Sequence, residues 1–166
     1  MSRYDTLFLD RDGVINKKLE GRYVRNFKEF EFIPGALNAI SELSKLFKRI
    51  IVITNQQGIA KRIMSEFDLN ILHNKMENEI VKKGGKIKQI YYCPHLEEVD
   101  CSCRKPKTGM IEKAFIDFPE IKVNKAFLVG DSDSDIEAGR RMNLTTVKVD
   151  NHYTLEKWSE DLQLKL

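Results

Sequence analysis

Two aspartates at the end of a short apolar run constrain this chain more than any other feature. The run Leu7-Phe8-Leu9 is followed directly by Asp10-Arg11-Asp12-Gly13. An apolar run of this kind predicts a buried strand, which would place both carboxylates at the end of that strand. At such a position Asp10 could attack a phosphorus atom and bind a cation, while Asp12 could move a proton. The glycine that follows would let the backbone approach a phosphate closely.

Apolar runs alternate along the 166 residues with helical patterns, which predicts a parallel sheet covered by helices. The strands are expected at 6–9, 50–54, 87–92, 126–130 and 145–149. The helices are expected at 36–47, from the capping signal at 65–68 to Gly84, from about 108 to 118, at 134–142 and at 155–162. We therefore predict one α/β domain over residues 1–166, a Rossmann-like three-layer sandwich with a central, mainly parallel sheet. The segment 15–33 is predicted to be a loop or small hairpin over the mouth of the sheet.

Three polar residues come at the ends of separate predicted strands. Asp10, Thr54 and Asp131 end the strings LFL-D, IIVI-T and FLVG-D. Because the carboxyl ends of parallel strands line the crevice where ligands bind, we expect these side chains to lie together. The hydroxyl of Thr54 and the amides of Asn55 and Gln56 could then bond phosphate oxygens.

Two further motifs carry charges suited to a phosphate site. The stretch Gly130 to Asp135 offers hard carboxylates, which suit Mg²⁺. A calcium loop is excluded because Ile136 and Met142 stand where such a loop needs glycine and glutamate. In Arg104-Lys105-Pro106 a lysine could offset the charge of a phosphate and of a nucleophilic carboxylate. Lys107 competes for this role, but Lys105 is favoured because it lies nearer the cysteines.

All three cysteines lie within one short segment, together with a histidine. Three thiolates and one imidazole, from Cys93, His95, Cys101 and Cys103, form a full tetrahedral set for Zn²⁺. The set leaves no open position, so we expect a structural zinc that pins the loop 93–103. The alternative is three buried thiols beside an unrelated histidine. His73 and His152 have no such neighbours in sequence and are predicted to be ordinary surface or helix residues.

The net charge of the chain limits its expected partners. Its charge is +3, from 28 basic and 25 acidic residues, and this balance gives no reason to expect nucleic acid as a partner. The N-terminal stretch lacks the apolar region of a secretory signal, and the longest aliphatic run, Ile50 to Ile53, is too short to span a bilayer. We expect a soluble, cytoplasmic monomer that acts on a small phosphorylated substrate, away from membranes.

Four motifs in order resemble those of a known superfamily over essentially the whole chain. The strings DRDG, TNQQG, RKP and GDSDSD are similar to the four motifs of the haloacid dehalogenase superfamily of aspartate-based phosphatases. The zinc loop and the stretch FEFIPGA resemble a subgroup without a large cap domain. The resemblance implies Mg²⁺-dependent hydrolysis of a phosphate monoester through an aspartyl-phosphate.

The resemblance also assigns a role to each matching residue. It implies that Asp10 is the nucleophile and Asp12 the general acid and base. Mg²⁺ would be bound by Asp10, the backbone carbonyl of Asp12 and Asp131, with Asp135 behind them. Thr54 and Lys105 would stabilise the phosphoryl group. The residues expected to contact the substrate are Tyr23, Asn55, Gln56 and Arg104.

The subgroup includes phosphatases of a heptose 1,7-bisphosphate and of histidinol phosphate. Ser132 departs from both, because the heptose enzymes often have lysine there and the histidinol-phosphate enzymes arginine. The short spacer between His95 and Cys101 resembles the histidinol-phosphate group, whereas Tyr23-Val24, FEFIPG, TNQQGIA and KTGM resemble the heptose group. We expect the heptose bisphosphate, with histidinol phosphate as the alternative. A polynucleotide 3′-phosphatase and a zinc-stabilised binding module without catalysis are less favoured.

Overall fold

A five-stranded parallel sheet forms the centre of the molecule in a computed structural model, which describes residues 2–166. The strands are β1 (Tyr4–Leu9), β2 (Phe47–Asn55), β3 (Gln89–Cys93), β4 (Ala126–Gly130) and β5 (Thr145–Lys148). They lie in the order β3-β2-β1-β4-β5, and every neighbouring pair is parallel. The chain therefore reverses its direction of travel across the sheet beside β1, where open parallel sheets bind ligands.

Five α-helices connect and cover the strands. They are α1 (Ala36–Leu46), α2 (Glu66–Lys82), α3 (Gly109–Asp117), α4 (Asp133–Arg141) and α5 (Leu155–Leu164), with a 3₁₀ turn at Val123–Lys125. The predicted capping signal is confirmed, since the Ser65 side chain accepts from the Asp68 N–H and the Asp68 side chain accepts from the Ser65 N–H. This exchange satisfies two donors that the start of α2 would otherwise leave without partners.

Two separate apolar cores lie on the two faces of the sheet. One contains buried residues of α1, α2 and α5, including Ile40, Leu72 and Trp158. The other contains buried residues of α3 and α4, including Ile111 and Ala138. The predicted three-layer sandwich is therefore confirmed.

The boundary between α1 and β2 differs from the prediction. Periodicity placed Phe47 on the apolar face of the helix, but the helix ends at Leu46 and Phe47 begins the strand. Phe47 is the register partner of Tyr4, and their rings stack with centroids 5.1 Å apart. An apolar residue fits either element, so this long-range pairing decides the boundary. Strand β3 similarly begins two residues later than expected and ends at Cys93.

The segment 15–33 is a loop over the carboxyl edge of the sheet, as predicted. Within it, isolated β-bridges join Asn16 to Asp12 and to Phe32. Its residues Lys18, Arg22 and Tyr23 line the cavity at that edge. Over residues 2–166, no helix combines the length and the apolar character that crossing a membrane requires.

Candidate active site

A cavity of about 310 Å³ opens at the carboxyl edge of the sheet. Asp10 directly follows β1, and its N–H donates to the Val129 carbonyl on β4. Asp131 directly follows β4. The predicted site residues that line this cavity are Asp10, Asp12, Tyr23, Asn55, Gln56, Arg104, Lys105, Asp131 and Asp135. Thr54 lies just behind the wall, fully buried, where its hydroxyl accepts a hydrogen bond from Gln56 at 2.9 Å.

Three carboxylates form the negative centre of this cavity. Oxygen atoms of Asp10, Asp131 and Asp135 all lie within 4.8 Å of one another. Burial, together with the charges of the other two carboxylates, raises the pKa of Asp10 well above its usual range although Lys105 lowers it. Burial also raises the pKa of Asp131. The proximity of the three carboxylates crowds negative charge at this point.

The donor set fits a hard divalent cation. Oδ1 of Asp131 is buried and has no hydrogen-bond partner among the residues that the structure describes. A buried carboxylate oxygen without a partner is costly, and a cation coordinated by oxygen atoms would satisfy it. Asp10 and Asp131 could therefore hold Mg²⁺ between them, as their positions after β1 and β4 allow.

Lys105 supplies the positive charge of the site. Its Nζ lies 2.8 Å from Oδ1 of Asp10 and 2.6 Å from Oδ1 of Asp135, and it donates to the Ile53 carbonyl at 3.1 Å. Burial alone would lower the pKa of Lys105, but the two carboxylates outweigh it and raise that pKa above its ordinary value. The lysine is therefore fixed as a cation beside Asp10.

The competing lysine lies outside the cavity. Lys107 is 43% exposed and pairs with Asp100. It also donates to the Cys101 carbonyl at 2.7 Å, so it bonds the cysteine loop. The preference for Lys105 over Lys107 is consistent with this placement.

Asn55 holds the backbone on which Lys105 is carried. Its Oδ1 accepts from the Lys105 N–H at 3.1 Å, and its Nδ2 donates to the Lys105 carbonyl at 3.3 Å. The sequence predicted Asn55 as a substrate contact, and the residue does line the cavity. Its amide is nevertheless engaged by protein backbone, so its contribution in this structure is to position Lys105.

Asp12 is bound on both of its carboxylate oxygens. Oδ1 accepts from Nη2 of Arg11 at 2.8 Å and from Nδ2 of Asn16 at 2.9 Å, while Oδ2 accepts from Nε2 of Gln56 at 2.9 Å. Burial would raise the pKa of Asp12, but the Arg11 charge and these hydrogen bonds hold that pKa below its ordinary value. Sequence reasoning missed Arg11 and Asn16, although Arg11 stands inside the DRDG motif.

Gly13 is required by its neighbours as well as by its own backbone. Its φ is +89°, and a Cβ at this position would lie 2.1 Å from Oδ2 of Asp131. A side chain here would therefore collide with one of the carboxylates of the site. The sequence predicted that this glycine would let the backbone approach a phosphate; the group that the structure places close to it is the Asp131 carboxylate.

Ser132 has a structural task at the start of α4. Its hydroxyl donates to Oδ2 of Asp135 at 2.8 Å, and the same oxygen accepts from the backbone N–H groups of Asp131 and Ser132. Burial would raise the pKa of Asp135, but Lys105 and these donors hold it below its ordinary value. Asp135 is thus a buried anion that links the helix start to Lys105.

The rim of the cavity is cationic. Arg104 reaches the cavity with Nη1 buried, and this atom has no hydrogen-bond partner within residues 2–166. Across the opening, the hydroxyl of Tyr23 accepts from Nε2 of Gln57 and Nζ of Lys61, each at 2.9 Å. A buried guanidinium nitrogen without a partner is well suited to bind an anion.

The cysteine segment brings together the four predicted ligand atoms. Those of Cys93, His95, Cys101 and Cys103 lie within 4.8 Å of one another. Nδ1 of His95 is 3.4 Å from Sγ of Cys93 and 3.2 Å from Sγ of Cys103. Three sulfur atoms and one imidazole nitrogen are a donor set that fits tetrahedral Zn²⁺. The cluster joins the end of β3 to the residues immediately before Arg104.

Comparison with known proteins places this fold and site in a class. An HAD-superfamily hydrolase from Geobacter sulfurreducens shares the fold, with a TM-score of 0.55 at 12% identity over 87% of this chain and 89% of that one. The fold of this chain is therefore the HAD-type fold. The chain belongs to the family described as polynucleotide kinase 3 phosphatase, whose model matches residues 6–166.

Individual relatives are named as phosphatases of a heptose 1,7-bisphosphate. D-glycero-alpha-D-manno-heptose-1,7-bisphosphate 7-phosphatase of Mycobacterium tuberculosis is 40% identical over 131 residues, 79% of this chain and 69% of that protein. The Pseudomonas putida protein named for the beta anomer is 38% identical over 154 residues, 91% and 87% of the two chains. The crystal structure of D,D-heptose 1,7-bisphosphate phosphatase from B. bronchiseptica, complexed with magnesium and phosphate, has a TM-score of 0.83 at 26% identity. That match covers 98% of this chain and 99% of the other.

Proposed function

We propose that this chain is a Mg²⁺-dependent phosphatase that removes the 7-phosphate from D-glycero-D-manno-heptose 1,7-bisphosphate. The observation that carries the proposal is one cavity that holds the carboxylates of Asp10 and Asp12 together with the cations of Lys105 and Arg104. A bisphosphate needs a reactive centre for one phosphate and a separate cation for the other. The names of the relatives support this substrate.

The reaction proceeds in two steps at Asp10. A carboxylate oxygen of Asp10 attacks phosphorus and the bond from phosphorus to the sugar oxygen breaks. Asp12, which must enter this step protonated against its lowered pKa, gives its proton to that oxygen. Water then attacks the aspartyl-phosphate, Asp12 takes a proton from the water, and phosphate leaves with Asp10 restored. Dividing the hydrolysis in this way replaces one difficult displacement by two easier ones.

Charge at the reacting phosphoryl group is offset from two sides. Lys105 lies beside Asp10 and would meet the phosphoryl oxygens as the attack begins. Mg²⁺, held by Asp10, the backbone carbonyl of Asp12 and Asp131, would neutralise negative charge on the same group. Thr54 lies behind the cavity wall, where its hydroxyl accepts from Nε2 of Gln56, the same nitrogen that donates to Asp12. Asp135 keeps Lys105 in place from behind.

We propose that Zn²⁺ at the cysteine cluster is structural. Cys103 is followed directly by Arg104 and Lys105, so a metal that pins Cys103 also fixes the start of this catalytic segment. All four ligands come from the protein, which leaves no coordination position for substrate. The zinc would therefore support catalysis through the position of Arg104 and Lys105.

A panel of substrates tests the proposed function directly. Phosphate release with Mg²⁺ is measured on both anomers of heptose 1,7-bisphosphate, on histidinol phosphate and on a 3′-phosphorylated oligonucleotide. The last is included because of the name of the matched family. We expect kcat/KM on one heptose anomer to exceed that on the other two classes by roughly 100-fold, as differential binding of a second phosphate allows. A preference for histidinol phosphate or for the oligonucleotide would contradict the proposal.

A further inference from the structure

One buried histidine has no part in the reaction as proposed. His73 lies on α2, is 5% exposed, and places Nε2 3.1 Å from Nη1 of Arg11. The guanidinium can only donate hydrogen bonds, so Nε2 must accept and the ring proton of a neutral imidazole must sit on Nδ1. The two residues are 62 positions apart in sequence, and the fold brings them together beneath the catalytic motif.

Arg11 passes this contact on to Asp12. Its Nη2 donates to Oδ1 of Asp12 at 2.8 Å. The side chain is fully buried, its Nε has no hydrogen-bond partner in the described chain, and its charged carbon lies 5.9 Å from the Phe30 ring centroid. Because the guanidinium is planar and rigid, fixing Nη1 at His73 also fixes the direction in which Nη2 points.

The two oxygens of Asp12 are left unequal by these contacts. Oδ1 accepts two hydrogen bonds, from Arg11 and Asn16, which fill its two lone pairs. Oδ2 accepts only one, from Gln56, and so keeps a free lone pair on a residue that lines the cavity. Oδ2 is therefore the oxygen that can carry a proton.

We propose that His73 and Arg11 are positioning residues that hold Asp12 with Oδ2 as its proton-carrying oxygen. The inference rests on the proposed role of Asp12 in proton transfer and adds the residues that orient it. His73 serves as a fixed acceptor, and Arg11 serves as a rigid connection between α2 and the motif. Neither residue touches the substrate.

This arrangement predicts which part of the reaction depends on His73. Proton transfer occurs when the sugar oxygen leaves and again when water attacks the aspartyl-phosphate. A nitrophenolate is a good leaving group and needs little protonation, so attack by Asp10 on p-nitrophenyl phosphate should not depend on the orientation of Asp12. Hydrolysis of the aspartyl-phosphate should depend on it with either substrate.

The test compares His73→Leu, which removes the acceptor, with His73→Gln, which retains an acceptor oxygen. We expect His73→Leu to lower kcat on heptose 1,7-bisphosphate roughly 10- to 100-fold, with KM changed far less. On p-nitrophenyl phosphate it should give a rapid burst of about one nitrophenolate per site at the wild-type rate, followed by slow turnover. His73→Gln should restore most of the kcat. Equal losses in the burst and in turnover, or no loss at all, would overturn the inference.

A measurement on the unaltered protein covers the case in which His73→Leu does not fold. Nitrogen NMR of histidine-labelled wild-type protein should show Nε2 of His73 unprotonated and Nδ1 protonated at pH 6, beside the charges of Arg11 and Asp12. A protonated Nε2 would overturn the inference. The variant Asp12→Asn separates this inference from the proposed function. If Asp12→Asn keeps the wild-type kcat, the proposed role of Asp12 is wrong. If kcat falls in Asp12→Asn but not in His73→Leu, only the positioning role of His73 is wrong.

Discussion

Nζ of Lys105 lies 2.8 Å from Oδ1 of Asp10, across 95 positions of sequence and inside a wall where both side chains are almost fully buried. Because the pair is buried, water does not screen the lysine charge from the Asp10 carboxylate. A cation held this close to the attacking carboxylate is already in position when charge develops on the phosphoryl group. The contact also joins the motif after β1 to the segment that follows the cysteine cluster.

The first prediction is that Lys105→Met lowers kcat about 100-fold or more, because the charge that faces the phosphoryl group is lost. The free energy of unfolding should also fall by roughly 3 kcal/mol, since Asp10 and Asp135 remain buried without their cation. Phosphate release and chemical denaturation measure the two effects. Lys107→Met is the matched comparison and should change kcat less than about threefold, because its ion pair is exposed. A larger loss in Lys107→Met than in Lys105→Met would reverse the assignment.

The second prediction concerns the two aspartates of the motif. Asp10→Asn should abolish turnover because an amide neither attacks phosphorus nor binds the cation well. Asp12→Asn should lower kcat roughly 100-fold or more by removing the group that moves the proton. Steady-state phosphate release checks both, and trapping of labelled phosphate on the protein should fail in Asp10→Asn. Asp133→Asn is the control, since that side chain is 96% exposed. Near-normal hydrolysis by Asp10→Asn would exclude an aspartyl-phosphate.

Strand ends and local spacing explain what could be predicted from the sequence. Asp10 and Asp131 are placed by the strands that precede them, and the rule that carboxyl ends of parallel strands share one edge needs no knowledge of the loops. The cysteine cluster is also local, because its four ligands span only residues 93–103.

Long-range contacts explain what the sequence could not predict. The hydrogen bond between Arg11 and His73 depends on how α2 is rotated against the sheet. A histidine on an otherwise apolar helix face does not indicate that rotation. The amide of Asn55 was expected to contact the substrate, but it accepts a hydrogen bond from the backbone N–H of Lys105, 50 residues later in the chain. Such pairings are set by tertiary packing and leave no periodic signal.

The third prediction is that each chain carries about one tightly bound zinc, separate from exchangeable Mg²⁺. Cys101→Ser should lose most of this zinc and lower both the melting temperature and kcat, because the segment before Arg104 and Lys105 would no longer be pinned. Elemental analysis of protein prepared without chelators measures the metal. His152→Asn should retain its zinc, since His152 is exposed and is not part of the cluster. Wild-type protein without zinc would contradict the prediction.

The fourth prediction uses the buried imidazole. Burial, and after it the Arg11 charge, lower the pKa of His73 from 6.5 to about 3. Below pH 6.5 the unfolded chain therefore binds a proton that the folded chain does not, so stability is lost as pH falls from about 6.5 towards 3. At pH 5 this loss is about 2 kcal/mol relative to pH 7.

Replacing His73 should remove this part of the pH dependence. Between pH 7 and pH 5, the free energy of unfolding of His73→Gln should fall by about 2 kcal/mol less than that of the wild-type protein. Chemical denaturation at the two pH values measures the difference, and any effect of acid on the metal sites is common to both proteins. An unchanged slope in His73→Gln would show that the imidazole is not kept neutral by the fold.

The last prediction concerns the choice of substrate and depends on Arg104. Arg104 lines the cavity one residue before Lys105, and its buried Nη1 has no hydrogen-bond partner in the described residues. The second phosphate of heptose 1,7-bisphosphate would give this guanidinium a charged acceptor. Arg104→Ala should therefore lower kcat/KM on the bisphosphate roughly 10- to 100-fold, as expected for loss of a hydrogen bond between charged groups.

The matched substrate for this test is heptose 7-phosphate, which lacks the anion that Arg104 would bind. On this monophosphate Arg104→Ala should cost less than about threefold, because the reacting phosphate is still met by Lys105. Arg25→Ala is the control variant, since Arg25 lies in the segment 15–33 outside the residues that line the cavity and pairs with Glu29. If Arg104→Ala lowers kcat/KM equally on both substrates, Arg104 binds the reacting phosphate or stabilises the fold of its loop. The second phosphate would then be recognised by another rim cation, for which Arg22 and Lys18 are placed.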